Sequence, residues 1–322
     1  MYYVELPDNV TRPLPFYLAM EEYVARNRAE DEMWFMWVVD PTVIIGRNQL
    51  LEKEVNLDYC KEHGISVYRR KSGGGCVYAD RSNVMFSYVC SSDEVVPTFK
   101  AYTERIVRML AGIGVRAEAG GRNDVLIDGK KVSGNAFYHI PGRSIAHGTM
   151  LYDTDMANMA GAISPQRSKL QSNGVESVRQ RITTLRPRIS HTLPEFMDAA
   201  RKLMSDGTIM LDGYDVSAIM EIMQDYMRPE WLYGRNPAAT FQQNRRIDGV
   251  GEFQVDMAVK VGTIRSVNIA GDFFPTGDLD SLLRRLVGIE YTRASVCDAL
   301  AGIDAESIIS GLSRNDLIEL LF

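Results

Sequence analysis

Ile65-Ser66-Val67-Tyr68-Arg69-Arg70-Lys71-Ser72-Gly73-Gly74-Gly75-Cys76-Val77-Tyr78 sets three cations and a hydroxyl directly before three glycines, between two apolar, strand-like runs. Glycine has no Cβ, so consecutive backbone N–H groups can close on an anion. Arginine beside them supplies a planar, bidentate charge suited to phosphate or carboxylate. Two readings stand at this point: an anion-binding loop between strands, or a surface hairpin tip with solvated charges.

Upstream, Pro13 and Pro15 open an amphipathic helix, with Phe16, Ala19, Met20, Tyr23 and Val24 on one face and Glu21, Glu22, Arg26 and Arg28 elsewhere. Met33 to Val39 is continuously apolar and predicts a strand covered on both faces. Val43-Ile44-Ile45-Gly46 reads as the next strand, and Gly46-Arg47-Asn48-Gln49 puts a polar cluster at its end. Downstream, 79–83 reads as the connection of a hairpin whose return strand is Val84 to Val89. Phe99, Tyr102, Ile106, Met109 and Leu110 mark a second helix, closed by Gly112 or Gly114. Val125-Leu126-Ile127, Asp128-Gly129 and Lys130-Lys131-Val132 predict a tight hairpin, since a type I′ turn needs positive φ. A further strand spans Ser144 to Tyr152. Hairpins without a regular βαβ repeat favour an α+β fold over a doubly wound parallel sheet.

Beyond residue 190, Thr192-Leu193-Pro194-Glu195 is a capping box for a helix through Met204, and another helix runs near Val216 to Tyr226. Phe253, Val255, Met257 and Val259 then alternate with polar residues, predicting a half-exposed antiparallel strand, with a second from Asn268 to Phe273. Short helices follow near Leu279–Val287, Ala294–Leu300 and Asn315–Leu321. A domain boundary falls near residues 238–248, dividing the chain into 1–242 and 243–322.

The chain has 322 residues, a net charge of −6, 45% hydrophobic and 24% charged residues. That composition is ordinary for a soluble globular protein, and its acidity argues against a general nucleic-acid binder. No apolar run approaches the roughly 20 residues that span a bilayer, and the N-terminus lacks a signal-peptide layout. Cys60, Cys76, Cys90 and Cys297 form no CxxC or zinc pattern, so free thiols in a reducing cytoplasm are expected.

A second polar constellation lies at Asn123-Asp124 and Lys131-Val132-Ser133-Gly134-Asn135-Ala136, which the hairpin sets side by side. An Asp–Asn pair facing a lysine suits Mg²⁺ and phosphate; the competing reading is a hairpin with a solvated cation. His147-Gly148-Thr149 follows on the next strand, where a histidine serves either structure or acid–base work. Gly174 to Thr183 carries an arginine pair able to close over an anion. No Walker loop, Gly-x-Ser-x-Gly or Gly-x-Gly-x-x-Gly is present. Cys76 and Cys90 lie in apolar strand patterns, where small buried thiols are inert.

In this order and spacing, Arg69-Arg70-x-Ser72-Gly73-Gly74-Gly75-x-Val77-Tyr78, Asn123-Asp124, Lys131 to Ala136 and His147-Gly148-Thr149 resemble the lipoate–protein ligase family. Gly174 to Leu185 resembles that family's adenylate-binding loop, Trp231 to Pro237 the end of its large domain, and Gly262 to Phe274 its small accessory domain. The resemblance implies a mixed-sheet large domain of the fold shared with biotin ligases and class II synthetases. It implies activation of lipoate by ATP and Mg²⁺ to lipoyl-AMP, then transfer to a lysine on a lipoyl domain of a 2-oxoacid dehydrogenase subunit or on the glycine-cleavage H protein. No nucleic acid or membrane partner is implied. Lys131 is the implied catalytic residue and Asp124 the metal ligand. Arg47, Arg70, Ser72, Gly73, Gly74, Gly75, Val77, Asn123, Ser133, Gly134, Ala136, His147 and Gly148 are the implied lipoate and adenylate contacts. Many relatives carry His where this chain has Ala79. An octanoyl or lipoyl transferase would need a reactive cysteine, and after Lys131 only Cys297 remains. A non-catalytic lipoate- or nucleotide-binding module would be expected to lose the lysine or the Asn-Asp pair.

Overall fold

The computed structural model describes residues 1–92, 94–120, 123–163, 181–233 and 241–322. In chain order the main elements are β1 (Tyr2–Glu5), α1 (Leu14–Asn27), β2 (Glu32–Trp37), β3 (Thr42–Ile45), β4 (Ser66–Arg69), β5 (Val77–Ala79), β6 (Val84–Cys90) and α2 (Val95–Gly112). Then come β7 (Glu118–Gly120), β8 (Asp124–Ile127), β9 (Lys130–Ile140), β10 (Arg143–Met150), α3 (Leu193–Met204), β11 (Gly207–Met210) and α4 (Gly213–Met227). The last third holds β12 (Phe241–Ile247), β13 (Gly251–Lys260), β14 (Thr263–Gly271), α5 (Leu279–Leu286), α6 (Arg293–Ala299) and α7 (Arg314–Glu319).

Eight strands form one mixed sheet in the order β11-β1-β2-β6-β10-β9-β8-β7. β1 runs parallel to β2 and β11, while every pair from β2 to β7 is antiparallel. The predicted hairpin at 125–132 is β8–β9, turned by Asp128 (φ 51°) and Gly129 (φ 72°). β2 is buried on both faces, as its uninterrupted apolar run requires. The capping box at Thr192 and Glu195 opens α3.

Three sequence expectations are corrected. β5 and β6 are not a hairpin. β5 joins β3 and β4 in a separate three-stranded sheet, whereas β6 lies between β2 and β10 in the large one. The connection Asp80-Arg81-Ser82-Asn83 is polar and turn-forming whether or not the flanking strands pair, so it carries no mark of the change of sheet. α1 is not amphipathic in the ordinary sense. It is buried on all sides from Leu14 to Ala25, with Glu21 and Glu22 0% and 4% exposed. β13 is not half-exposed either: Gln254 and Asp256 are buried, and Gln254 Nε2 donates to both Asp256 carboxylate oxygens (2.9 and 2.7 Å).

The main core packs α1, α2, α3 and α4 against the large sheet, and a satellite core sits around Val43, Ile45, Cys60 and Tyr78. A separate core, built on Phe253, Val255, Ile269, Leu282 and Leu317, holds the C-terminal part. Its first described strand is β12. The two parts meet at the glycine segment. Gly74 N donates to Phe273 O (3.0 Å), Gly271 N donates to Asn48 O (2.9 Å), and the Phe274 ring stacks on Phe137 at 5.4 Å. No helix among the described residues is long and apolar enough to cross a membrane.

Candidate active site

The glycine segment leaves β4 and crosses the end of β3 before entering β5. It is held in shape by the two arginines that precede it. Arg69 is buried and donates to the carbonyls of Gly46, Arg47, Gln49, Trp231 and Leu232 at 2.7–3.1 Å, and Trp231 Nε1 donates back to Arg69 O. It is a structural tie rather than an anion ligand, which corrects the reading of both arginines as ligand-facing. Arg70 donates to Ile44 O (3.0 Å), Gly73 O (2.6 Å), Gly75 O (2.7 Å) and Ser72 Oγ (2.9 Å). Four of its five N–H donors therefore brace the loop. Burial, with the Arg69 charge beside it, pushes the Arg70 guanidinium down to about 10, so it stays cationic at neutral pH. Gly74 sits at φ 84°, a left-handed conformation that a Cβ would strain.

The loop forms one wall of a cleft enclosing about 560 Å³ of free space, partly open to solvent. Leu18, Trp37, Ile44, Val77 and Met85 line it with apolar side chains, and Arg70, Asn123, Lys131 and Asn135 line it with polar ones.

Lys131 reaches this cleft through a defect in the β8–β9 ladder. Val125 pairs with Ser133 but Leu126 pairs with Lys131, so Val132 is an extra residue on β9. A bulge turns the following side chains to the other face, which brings Lys131 over Gly134. A Cβ on Gly134 would lie 2.5 Å from Lys131 Cε, so glycine is what leaves the lysine room. Lys131 Nζ lies 2.8 Å from Asp124 Oδ1, and that buried oxygen has no aligned hydrogen-bond donor. Asn123 and Asn135 lock the neighbouring strands through Asn123 Nδ2 to Asn135 O (2.7 Å) and Asn135 Nδ2 to Asn123 O (2.9 Å). Thr183 N donates to Lys131 O at 2.8 Å, tethering the last residues of the implied adenylate loop beside the lysine.

The expected residues divide. Arg70, Gly74, Gly75, Val77, Asn123, Lys131, Gly134, Ala136, His147 and Gly148 line the cleft. Ser72 and Ser133 are buried outside the lining; Ser72 bonds Arg70 and His147, and Ser133 donates to Asn135 Oδ1 (3.2 Å). Gly73 lies against Pro275 and Phe273 of the C-terminal part, and Arg47 pairs with Asp280 at 3.1 Å. Ala79 is buried within β5. Residues 164–180 and 234–240, with Gly121 and Arg122, lie outside the described residues, as does most of the implied adenylate-binding loop.

Sequence reasoning missed Leu18, Trp37, Met85 and Cys76 on the wall and Glu21 behind it. The first three are indistinguishable from core residues in a pattern. Cys76, expected to be inert within an apolar strand, faces the cleft. Burial pushes its thiol well up, which leaves little thiolate for nucleophilic attack.

The sequence profile described as "Lipoyl protein ligase A/B catalytic domain" matches residues 13–204, and that described as "Bacterial lipoate protein ligase C-terminus" matches 236–321. The chain is 32% identical over 317 residues to lipoate-protein ligase LplJ of Bacillus subtilis, covering 95% of this chain and 96% of that protein. It is 34% identical over 323 residues to lipoate–protein ligase 1 of Staphylococcus aureus, covering 98% of each. Among solved structures, Plasmodium falciparum LipL1 in complex with lipoate superposes with a TM-score of 0.80 at 18% identity, over 99% of this chain and 97% of that one, a likeness of fold. The bipartite lipoate protein ligase of Thermoplasma acidophilum, determined with its E2 lipoyl domain, gives 0.65 at 27% identity over 74% and 98%. A lipoate-protein ligase A bound with ATP gives 0.63 at 25% identity over 72% and 98%.

Proposed function

The chain belongs to the lipoate–protein ligase family, and we propose that it performs a two-step acyl transfer. Lipoate and ATP form lipoyl-AMP and pyrophosphate; the ε-amine of an acceptor lysine then attacks the mixed anhydride and releases AMP. The observation that carries this reading is the cleft itself, lined by apolar side chains together with Lys131, Asn123 and Arg70.

A carboxylate is a poor acyl electrophile, and adenylation gives it a good leaving group. Charge accumulates between the attacking carboxylate and the α-phosphate. The Lys131 ammonium stands where it can hold both, and one preorganised contact of this kind lowers the barrier by about 3–4 kcal/mol. Gly74 and Gly75 let the backbone approach the acyl chain and adenylate, with Arg70 holding the loop in that shape. Ser72, Gly73, Ser133, Ala136, His147, Gly148 and Val77 complete the proposed lipoate and adenylate contacts, directly or from behind the wall, and Arg47, paired with Asp280, is a further proposed contact.

Mg²⁺ fits the donors present. Asp124 offers an oxygen without an aligned donor, and no cluster of three His, Cys, Asp or Glu among the described residues could hold an ion alone. Magnesium commonly takes one or two carboxylates and completes its shell with substrate phosphates. Asp124, with Asn123 beside it, would hold it there, where it neutralises phosphate charge.

We assign residues 1–242 to catalysis and 243–322 to an accessory part, with lipoyl domains of 2-oxoacid dehydrogenase subunits and the glycine-cleavage H protein as acceptors. The four free cysteines support a cytoplasmic setting. Pyrophosphate–ATP exchange with the intact protein tests the reading: exchange should depend on free lipoate, and folded protein without lipoate-dependent exchange overturns it.

A further inference from the structure

The third cation of the motif, Lys71, does not face the cleft. Arg70 turns into the loop it braces. Arg69 and Lys71, on either side of it, both meet one stretch of chain, the end of α4 and the short helix Pro229–Tyr233. Lys71 Nζ lies 2.5 Å from Glu22 Oε1 and 4.7 Å from the centre of the Tyr226 ring. Tyr226 OH donates to the same Glu22 oxygen. The Trp231 indole meets the Tyr226 ring at 84°, and its Nε1 donates to Arg69 O (2.9 Å). Glu21, the preceding residue of α1, faces β6, where Ser87 Oγ donates to it (2.6 Å); Glu22 faces α4. Glu22 and Tyr226 are buried, and Arg26, the other cation near Glu22, is exposed and 3.8 Å away.

A charged pair is a poor way to stabilise the fold at this place. A carboxylate is desolvated and a long side chain is ordered. Apolar side chains of similar volume would pack α1 against α4 as well. What the pair supplies is direction. The ammonium of the residue leading into Ser72 is held at one oxygen of α1, over one face of a ring of α4. Neighbouring ties run elsewhere: Arg70 Nη1 donates to Ile44 O (3.0 Å), and Arg47 N donates to Ser72 O (2.9 Å). Those fix the loop against β3 and the residues after it. Lys71 adds a point of attachment on the two helices.

We propose that Lys71 is a positioning residue that holds the backbone of residues 72–75 where charge develops during acyl activation, with Glu22 and Tyr226 as its anchor. This rests on the acyl-activating reading above. The tether acts on turnover rather than on ground-state binding of the acid, because the place of the loop counts most when charge builds at the α-phosphate.

The test uses the full chain, with lipoate-dependent pyrophosphate–ATP exchange for turnover and calorimetry for lipoate binding. Lys71→Met keeps the stem and removes the charge. Its kcat should fall by about 10–100-fold, the loss that follows a misplacement of about an ångström, while the Kd for lipoate keeps its wild-type value. Lys71→Arg keeps a cation within reach of Glu22 and should recover most of that loss. Glu22→Gln removes the other charge and should match Lys71→Met. The double variant should fall no further, since residues that act as one unit are non-additive. A Lys71→Met enzyme with wild-type kcat overturns the proposal. So do losses that multiply in the double variant, or a lipoate Kd that weakens as much as kcat falls. Should Lys71→Met not fold, Glu22→Gln decides alone, and folded protein with wild-type kcat overturns the proposal. Wild-type protein without lipoate-dependent exchange would overturn the ligase reading instead.

Discussion

Lys131 Nζ lies 2.8 Å from Asp124 Oδ1 across the bulged β8–β9 pair. Both side chains are about one-third exposed, at 37% and 30%, and exposed ion pairs contribute about 0–1 kcal/mol. The pair is therefore a poor staple. Lys131→Ala should leave the melting temperature near wild type while lowering lipoate-dependent exchange by at least about 100-fold. Asp124→Asn should weaken Mg·ATP more than lipoate. A Lys131→Ala protein that exchanges normally, or that unfolds, removes the lysine from the mechanism.

Gly134 should be intolerant of a single methyl group. An added Cβ meets Lys131 Cε at 2.5 Å and Nζ at 2.6 Å, both at the mobile end of a side chain. The lysine moves and the strand survives. Gly134→Ala is expected to fold normally, with kcat down by about 10–100-fold and the KM for lipoate little changed. Steady-state kinetics beside a melting curve separates this from general damage.

Cys76 should be dispensable for chemistry. It faces the cleft, but burial holds its thiol protonated. Cys76→Ser should retain exchange and transfer, and mass spectrometry of the working enzyme should find no acyl group on Cys76. An acyl thioester at this residue would establish a transferase route.

Asp215 gives a pH dependence with a definite sign. Burial alone would raise its carboxyl, but Tyr23 OH, the Asp212 amide (2.9 Å) and Arg28 Nη2 (2.6 Å) together outweigh that and hold it low. A depressed folded pKa adds stability that is complete above the unfolded value of about 3.9 and is lost as pH falls through the lower folded value. Asp215→Asn should cost about 1–3 kcal/mol at neutral pH. The gap to wild type should narrow below about pH 4 in denaturant titrations. A gap that stays constant with pH would refute the assignment.

Local chemistry was the legible part of the sequence. Thr192 and Glu195 announced a helix start, and Asp128-Gly129 a hairpin, because each depends on atoms a few residues apart. The apolar run at Met33 to Val39 gave a doubly covered strand for the same reason. Glu21 and Arg69 misled because their surroundings come from distant elements. Glu21 meets β6, β9 and β10, and Arg69 meets Trp231 and Leu232. Likewise, β5 and β6 part into different sheets according to what each finds to pair with, which no property of 79–83 encodes.

The Gly74 amide is held by the carbonyl of Phe273, from the part of the chain with its own separate core. One donor in the glycine loop therefore has two possible takers, an anion in the cleft or a peptide oxygen of the accessory part. Where two processes compete for one group, each enters the other's equilibrium constant with equal weight. A substitution deep in the C-terminal core, far from any ligand, would thus be read out as a change in how tightly the loop holds its guest. Occupancy of the cleft would in turn be legible in the hydrogen-exchange protection of residues that never touch it.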